Sequence, residues 1–255
     1  MPDFITHYSP APDRYDRMQY AHVGTSGLQL PRIALGLWHN FGDLTPYGQM
    51  QQIVFTAFDH GIFHFDLANN YGPMYGAAER NFGHIMRESL RPYRDELIIS
   101  TRPGSTCGRD RTAWAAVANT CSPASTSRSN GSAWTMWTFF YHHCPDPNTP
   151  LEETVGALET AVTSGRALYV GLSNYDGPLL EQAAQMLAER HVPFIINQNR
   201  YNIFDRTINA MGSRRRRASS ARGSSRSRRL SRDCLRTGIS TAFLPIAASG
   251  TTTGS

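Results

Sequence analysis

From Leu30 to Asn202 the chain alternates short apolar runs with amphipathic stretches of helical period, and this alternation is broken once. The apolar runs are "LPRIALGLW" (Leu30–Trp38), "IFHFDLANNYG" (Ile62–Gly72), "DELIISTR" (Asp95–Arg102), "FFYHH" (Phe139–His143), "ALYVGLSNY" (Ala167–Tyr175) and "VPFIINQNRYN" (Val192–Asn202). Between them lie Gly48–Gly61, Gly76–Leu90, Thr149–Gly165 and Gly177–His191, each with apolar residues on one helical face. A strand that leads into a helix cannot turn back as a hairpin, so the next strand is reached by a crossover and lies parallel to it. The Thr149 segment has a defined start and stop: Thr149 as N-cap, Pro150 at the first helical position, acids in the first turn and Gly165 at the end.

These strands are apolar along their length and polar at their C-terminal ends, which is the pattern of a TIM barrel, where chemistry collects at the C-terminal face. A doubly wound sheet is the alternative, and the absence of a Gly-x-Gly-x-x-Gly turn after any strand counts against it. A closed (β/α)8 barrel needs eight strands and six are visible. The fold class is therefore α/β, an incomplete TIM barrel, in a 255-residue chain of single-domain length.

Two stretches lose the pattern, Arg102 to about Thr138 and Gly212 to Ser255. The chain thus divides into a barrel over residues 1–211, with 102–138 aberrant, and an Arg/Ser-rich tail over 212–255. The net charge is +5, but ten of the 25 basic residues lie between Arg214 and Arg236, and the body without this tail is mildly acidic. All 25 basic residues are arginine. By composition alone the tail resembles a disordered basic segment or an RNA-binding arm. No apolar run reaches 18 residues and the first twenty residues carry early acids without an apolar stretch, so neither a membrane span nor a signal peptide is expected, and a cytoplasmic location is. Cys107, Cys121, Cys144 and Cys234 share no metal-type spacing, so no metal site and no disulfide is expected.

The polar strand ends supply Asp66, Tyr71, His143, Ser173, Asn174, Gln198 and Tyr201. Taken singly, each has a plain structural role open to it. Asp66 could cap a turn, Tyr71 could be a rim residue, Trp38 core, and Ser173 and Asn174 loop formers; His142 rivals its neighbour His143. In order, however, "GLWHNFG", "FDLANNYG", "ELIIST", "FYHHCPDPNTPLEET", "ALYVGLSNY" and "NQNRYN" closely resemble the aldo-keto reductases, in the branch that contains bacterial L-glyceraldehyde-3-phosphate reductase and potassium-channel β-subunits. The resemblance covers about Tyr20 to Ile208 apart from the broken stretch. It implies a (β/α)8 barrel, NADPH as cofactor, and reduction of a small aldehyde or ketone to an alcohol. The implied partners are that substrate and, as an option, further copies of the chain, with no nucleic acid and no membrane. It also leaves room for a non-catalytic, NADPH-binding regulatory subunit like the channel β-subunits.

By resemblance Tyr71 is the general acid, Asp66 the carboxylate that positions a cation, and His143 the imidazole that orients the carbonyl. Trp38, Ser173, Asn174 and Gln198 contact the nicotinamide end of the cofactor together with Asp66 and Tyr71, and Tyr201 stacks on its ring. A phenol can donate its proton near neutrality only if a neighbouring cation favours the phenolate. The family supplies that cation as lysine in Ser-Thr-Lys-Ala-Gly, whereas here Arg102 stands in its place, followed by Pro103 and Gly104. Arginine spreads its charge over a planar fork and reaches differently, so it is not an equivalent.

Both broken stretches resemble coding sequence read out of frame. Arg102–Ala113 can be encoded so that the frame one base earlier gives KAGFDMWPGPYG, which restores Lys-Ala-Gly. Ala115–Phe140 can be encoded to give GSRGKYLLASLDQSLKRLGLDYVDIF, an amphipathic helix running into an apolar strand. Asp233–Ala247 can be encoded to give GLLTDRYLNGIPADS. Either sequencing errors or genuine frameshifts account for such matches, and the arginine tail then needs no nucleic-acid partner. For the chain as written, the seventh and eighth strands are expected to be missing, with two strand edges open, poor folding and no measurable NADPH-dependent reduction.

Overall fold

The structure, a computed structural model, describes residues 8–24, 26–72, 74–103, 136–202, 204, 223–227 and 242–244. The aberrant stretch Gly104–Thr135, the tail apart from Gly223–Ser227 and Ala242–Leu244, and Cys107, Cys121 and Cys234 lie outside the described residues.

A small antiparallel hairpin, β1 (Tyr20–His22) and β2 (Gln29–Pro31), opens the described fold. The barrel sheet then begins with β3 (Leu35–Gly36), α1 (Tyr47–Asp59), β4 (His64–Asp66) and α2 (Ala77–Ile85). It continues through β5 (Ile98–Thr101), β6 (Trp137–His142), α3 (Leu151–Thr163), β7 (Ala167–Ser173), α4 (Gly177–Glu189) and β8 (Phe194–Arg200). Two further strands, β9 (Gly223–Ser227) and β10 (Ala242–Leu244), complete a sheet whose order runs β10-β9-β8-β7-β6-β5-β4-β3. Every pairing from β3 to β9 is parallel, β10 is antiparallel to β9, and β3 and β10 end the sheet without meeting. The result is a curled parallel sheet, an incomplete (β/α)8 barrel.

β9 corrects the expectation that a seventh parallel strand is missing. It pairs Gly223–Ser227 with Ile196–Arg200, although Gly-Ser-Ser-Arg-Ser has no apolar alternation to announce it. An open sheet edge offers a row of backbone donors and acceptors that a chain of almost any sequence can satisfy. The run Leu30–Trp38 also divides in two. β2 pairs with the hairpin, β3 pairs with β4, and Pro31, which has no N–H to give a ladder, ends the first piece. The Gly76–Leu90 helix is regular to Ile85 and widens into a π-turn over Met86–Leu90. Thr149 is not the N-cap of α3; its hydroxyl donates to Asp146 at 2.9 Å and Pro150 takes the cap position. Gly165 ends that helix as expected, at φ 71. Asp176 caps α4 by accepting from the Leu179 N–H at 2.9 Å.

Strand alternation sorts the side chains into two layers. Leu35, Phe65 and Ile99 face outward onto α1 and α2, and Phe140, Val170 and Leu172 face outward onto α3 and α4. Ile98, Phe139, Tyr141 and Ile196 face the barrel interior, and Val23 and Leu30 of the hairpin close its lower end. Among the described residues no helix is long and apolar enough to cross a membrane.

Tyr141 fits inside because Gly171 lies beside it. The two are paired in the β6–β7 register, and a Cβ at position 171 would come within 2.4 Å of the Tyr141 ring and 2.9 Å of Ile196. Backbone and ring cannot both move aside in a packed interior. Gly171→Ala is expected to destabilise the chain by about 1–3 kcal/mol through overpacking, read as a lower urea midpoint. An unchanged midpoint would show that the interior is looser than this packing implies.

Candidate active site

The interior layer ends, at the C-terminal edge of the sheet, in polar side chains. Alternation on β4 places His64 and Asp66 inside, and on β5 it places Ile98 and Ser100 inside, with Arg102 next on the same side. Asp66 is almost fully buried and accepts three side-chain donors. The Ser100 hydroxyl donates to its Oδ1 at 2.6 Å, Gln198 Nε2 donates to its Oδ2 at 3.2 Å, and the Arg102 guanidinium forms a short ion pair with Oδ2. The second terminal nitrogen of Arg102 donates to Gln198 Oε1. Gln198 thereby uses both ends of its amide on the ion pair, 96 residues along the chain from Arg102.

Arg102 is itself buried, and its guanidinium carbon lies 5.8 Å from the centre of the Tyr71 ring and 5.2 Å from that of Tyr141. The expected cation site is thus filled by an arginine that points at the carboxylate and lies over the expected acid. The fit is incomplete, since Arg102 Nε and the Tyr141 hydroxyl are buried with no hydrogen bond among the described residues. Burial pushes the Asp66 carboxyl upward, yet the opposing charge of Arg102, with the Ser100 and Gln198 hydrogen bonds, holds it below the usual carboxylate range. Burial works against the Arg102 cation, but Asp66 outweighs it and the guanidinium stays charged.

Tyr71 follows β4 in a turn whose backbone N–H bonds the Ala68 carbonyl at 3.0 Å, and its ring stacks on Trp38 with centroids 5.9 Å apart. Trp38 is 38% exposed, so this aromatic wall faces the mouth. The two histidines at the end of β6 diverge. His142 has the outward parity of Phe140, is buried, and shares a 2.8 Å hydrogen bond with the Tyr175 hydroxyl. Burial pushes its imidazole down to about 4. His143 comes one residue beyond the strand, on the inward parity, and is half-buried. Asn174, at φ 61, donates its amide to the His143 carbonyl at 2.8 Å and to Ser173 Oγ at 3.3 Å. Ser173 pairs with Gln198 across β7 and β8, which joins this group to the ion pair. Tyr201 is half-buried just past β8.

Four residues that the sequence patterns did not single out belong to this region: His64, Ser100, Tyr141 and Glu79. Inward parity on a recognised strand is the signal that could have found the first three. Glu79, in the first turn of α2, accepts from the Thr101 hydroxyl at 2.5 Å on the outer side of β5. Burial pushes its carboxyl up to about 7.

Two outcomes follow from these charges. Replacing Arg102 by methionine leaves the Asp66 charge buried and unpaired, which costs about 3–5 kcal/mol near neutrality in a urea titration. In the native chain the carboxyl titrates below its unfolded value of about 3.9, so the pair stabilises above that pH and the gain is lost below it. In Arg102→Met the carboxyl titrates higher when folded, so stability is expected to rise as pH falls; a loss confined to acid pH would contradict the pairing. Glu79 has a raised folded pKa, so its contribution is complete below about pH 4.3 and is lost as pH rises through about 7. Glu79→Gln should flatten the stability profile across that window, and an unaltered slope would refute the assignment.

The chain that folds into this curled sheet has parallels among known proteins. The model of the aldo/keto reductase family matches residues 32–216. The L-glyceraldehyde 3-phosphate reductase of Escherichia coli K12 is 44% identical over 203 residues, covering 79% of this chain and 58% of that protein. A probable voltage-gated potassium channel subunit beta of Arabidopsis thaliana is 32% identical over 193 residues, 74% of this chain and 57% of that protein. A crystal structure of a thermostable aldo-keto reductase, solved with the inhibitor epalrestat, superposes with a TM-score of 0.64 at 27% identity, over 81% of this chain and 71% of that one. The chain spans less than two thirds of the length of the curated relatives it matches. On the extent of that match, the chain belongs to the aldo/keto reductase family.

Proposed function

We propose that the site is built for NADPH-dependent reduction of small aldehydes, such as L-glyceraldehyde 3-phosphate or methylglyoxal, and that this chain performs it at a strongly reduced rate. The observation that carries the proposal is the buried Asp66–Arg102 pair with its guanidinium carbon 5.8 Å from the Tyr71 ring. The residue types suit a nicotinamide ring: Trp38 and Tyr201 offer aromatic faces, and Ser173 and Asn174 offer polar groups. Gln198 suits it less well, because Arg102 and Asp66 hold both ends of its amide.

NADPH, if bound there, would supply the hydride for the carbonyl carbon. The chain's own residues manage the proton and the charge. Tyr71 donates the proton that the developing alkoxide takes. The Arg102 cation favours the phenolate left behind, and Asp66 fixes that cation in place. The His143 imidazole donates toward the carbonyl oxygen and fixes its orientation. Arginine weakens the arrangement in two ways: its charge is spread over the fork and directed at Asp66 and Gln198, and its Nε is buried without a hydrogen bond among the described residues.

Purified chain assayed with NADPH and methylglyoxal is expected to be barely active, and Arg102→Lys to raise kcat by about tenfold or more. Tyr71→Phe in the Arg102→Lys background should remove about 100-fold or more of that rate. Robust reduction by the unaltered chain, or no gain with lysine, would refute the role given to Arg102. The identity to a channel β-subunit favours one rival, a nucleotide-binding subunit without catalysis. It predicts nucleotide binding and recovery of a membrane partner in a pull-down, with no carbonyl reduction from the lysine variant.

A further inference from the structure

Beneath the ion pair lies a polar column that the proposed mechanism does not use. His64, one step below Asp66 on the inward side of β4, places Nε2 3.0 Å from Ser100 Oγ, and Ser100 Oγ lies 2.6 Å from Asp66 Oδ1. All three side chains are buried in the barrel interior. We propose that His64 and Ser100 are positioning residues for Asp66, acting as a directed donor chain: His64 Nε2–H to Ser100 Oγ, then Ser100 O–H to Asp66 Oδ1. This rests on the reductase reading, in which Asp66 holds the cation over the Tyr71 ring.

The direction follows from counting protons. An ionised carboxylate can only accept, and Arg102 keeps Asp66 ionised. Ser100 has one hydroxyl proton, and the 2.6 Å contact to Asp66 takes it in preference to the Phe65 carbonyl at 3.4 Å. Ser100 Oγ is then an acceptor toward His64, so the imidazole carries its proton on Nε2. Burial pushes His64 down to about 4, with the nearby Asp66 charge opposing and Arg102 reinforcing the shift, so the ring stays neutral. A neutral ring with a fixed tautomer is a donor of one orientation.

The chain fixes which carboxylate oxygen does what. With Oδ1 taken by Ser100, Oδ2 is left to Arg102 and Gln198. The carboxyl cannot rotate without breaking one of these contacts, and the guanidinium is held over Tyr71 as a consequence. Groups that act through such geometry change rate rather than affinity, because small displacements at the reacting centre are costly.

The test combines spectroscopy on the full chain with kinetics. In a histidine-labelled 15N spectrum at pH 7, His64 is expected as the neutral Nε2–H tautomer, and Ser100→Ala is expected to move its Nε2 resonance. An Nδ1–H tautomer, an imidazolium, or a resonance blind to Ser100→Ala overturns the proposal. In the Arg102→Lys background, Ser100→Ala should lower kcat about 10- to 100-fold with nucleotide Kd changed less than about twofold. His64→Gln, which keeps a donor, should retain most of the rate and His64→Leu should not; equal losses in the two overturn the proposal. If none of the variants reduces a carbonyl, the reductase reading fails, while the spectra still decide whether the donor chain exists.

Discussion

A carboxylate buried in a barrel interior has to be neutralised, and in this chain that requirement arranges everything around it. Asp66 lies under the mouth of the sheet with Arg102 as its counter-charge and Ser100 and Gln198 as further donors. These partners come from β5, from the segment directly after it and from β8, and Asp66 itself lies on β4, so the contacts tie together strands far apart in sequence. A buried pair of this kind does little for net stability compared with an apolar core, but removing one partner is costly, because the remaining charge has nowhere to go. The Asp66–Arg102 contact therefore fixes geometry more than it adds stability.

The same pair sets what the C-terminal edge of the sheet can hold. The sheet brings a carboxylate, a phenol and an imidazole, those of Asp66, Tyr71 and His143, to its C-terminal edge. Beside the carboxylate lies the Arg102 guanidinium. It satisfies the electrostatic demand of Asp66 and draws Gln198 into the contact, but it leaves Nε buried without a hydrogen bond among the described residues. Charge balance is kept while the shape of the cation changes. A lysine would present a compact charge on a flexible stem, which is a different object to place beneath a phenol.

Much of this was legible in the sequence because strand alternation is a local property. The inward parity of Asp66, the helix stop at Gly165 and the crossover order all follow from patterns a few residues long. Other features needed the folded chain. Whether Ser100 serves Asp66 or merely packs depends on the β4–β5 register, which aligns the two across 34 residues. The capture of Gln198 by Arg102 depends on closing the sheet far enough to bring β8 opposite β5. Thr149 fits the capping pattern, yet its hydroxyl donates back to Asp146 and the helix begins one residue later, with Pro150 at the cap position. β9 was illegible because an unpaired edge recruits backbone rather than side chains.

The central claim is that Asp66 and Arg102 act as one unit at the base of the mouth. A double-mutant cycle with Asp66→Asn and Arg102→Met, followed by urea denaturation near neutral pH, isolates their coupling. The account predicts that the double variant is more stable than the sum of the two single losses allows, with a coupling of about 2–3 kcal/mol. Additive losses, within about 0.5 kcal/mol, would mean that the two side chains lie near each other without depending on each other, and would contradict it.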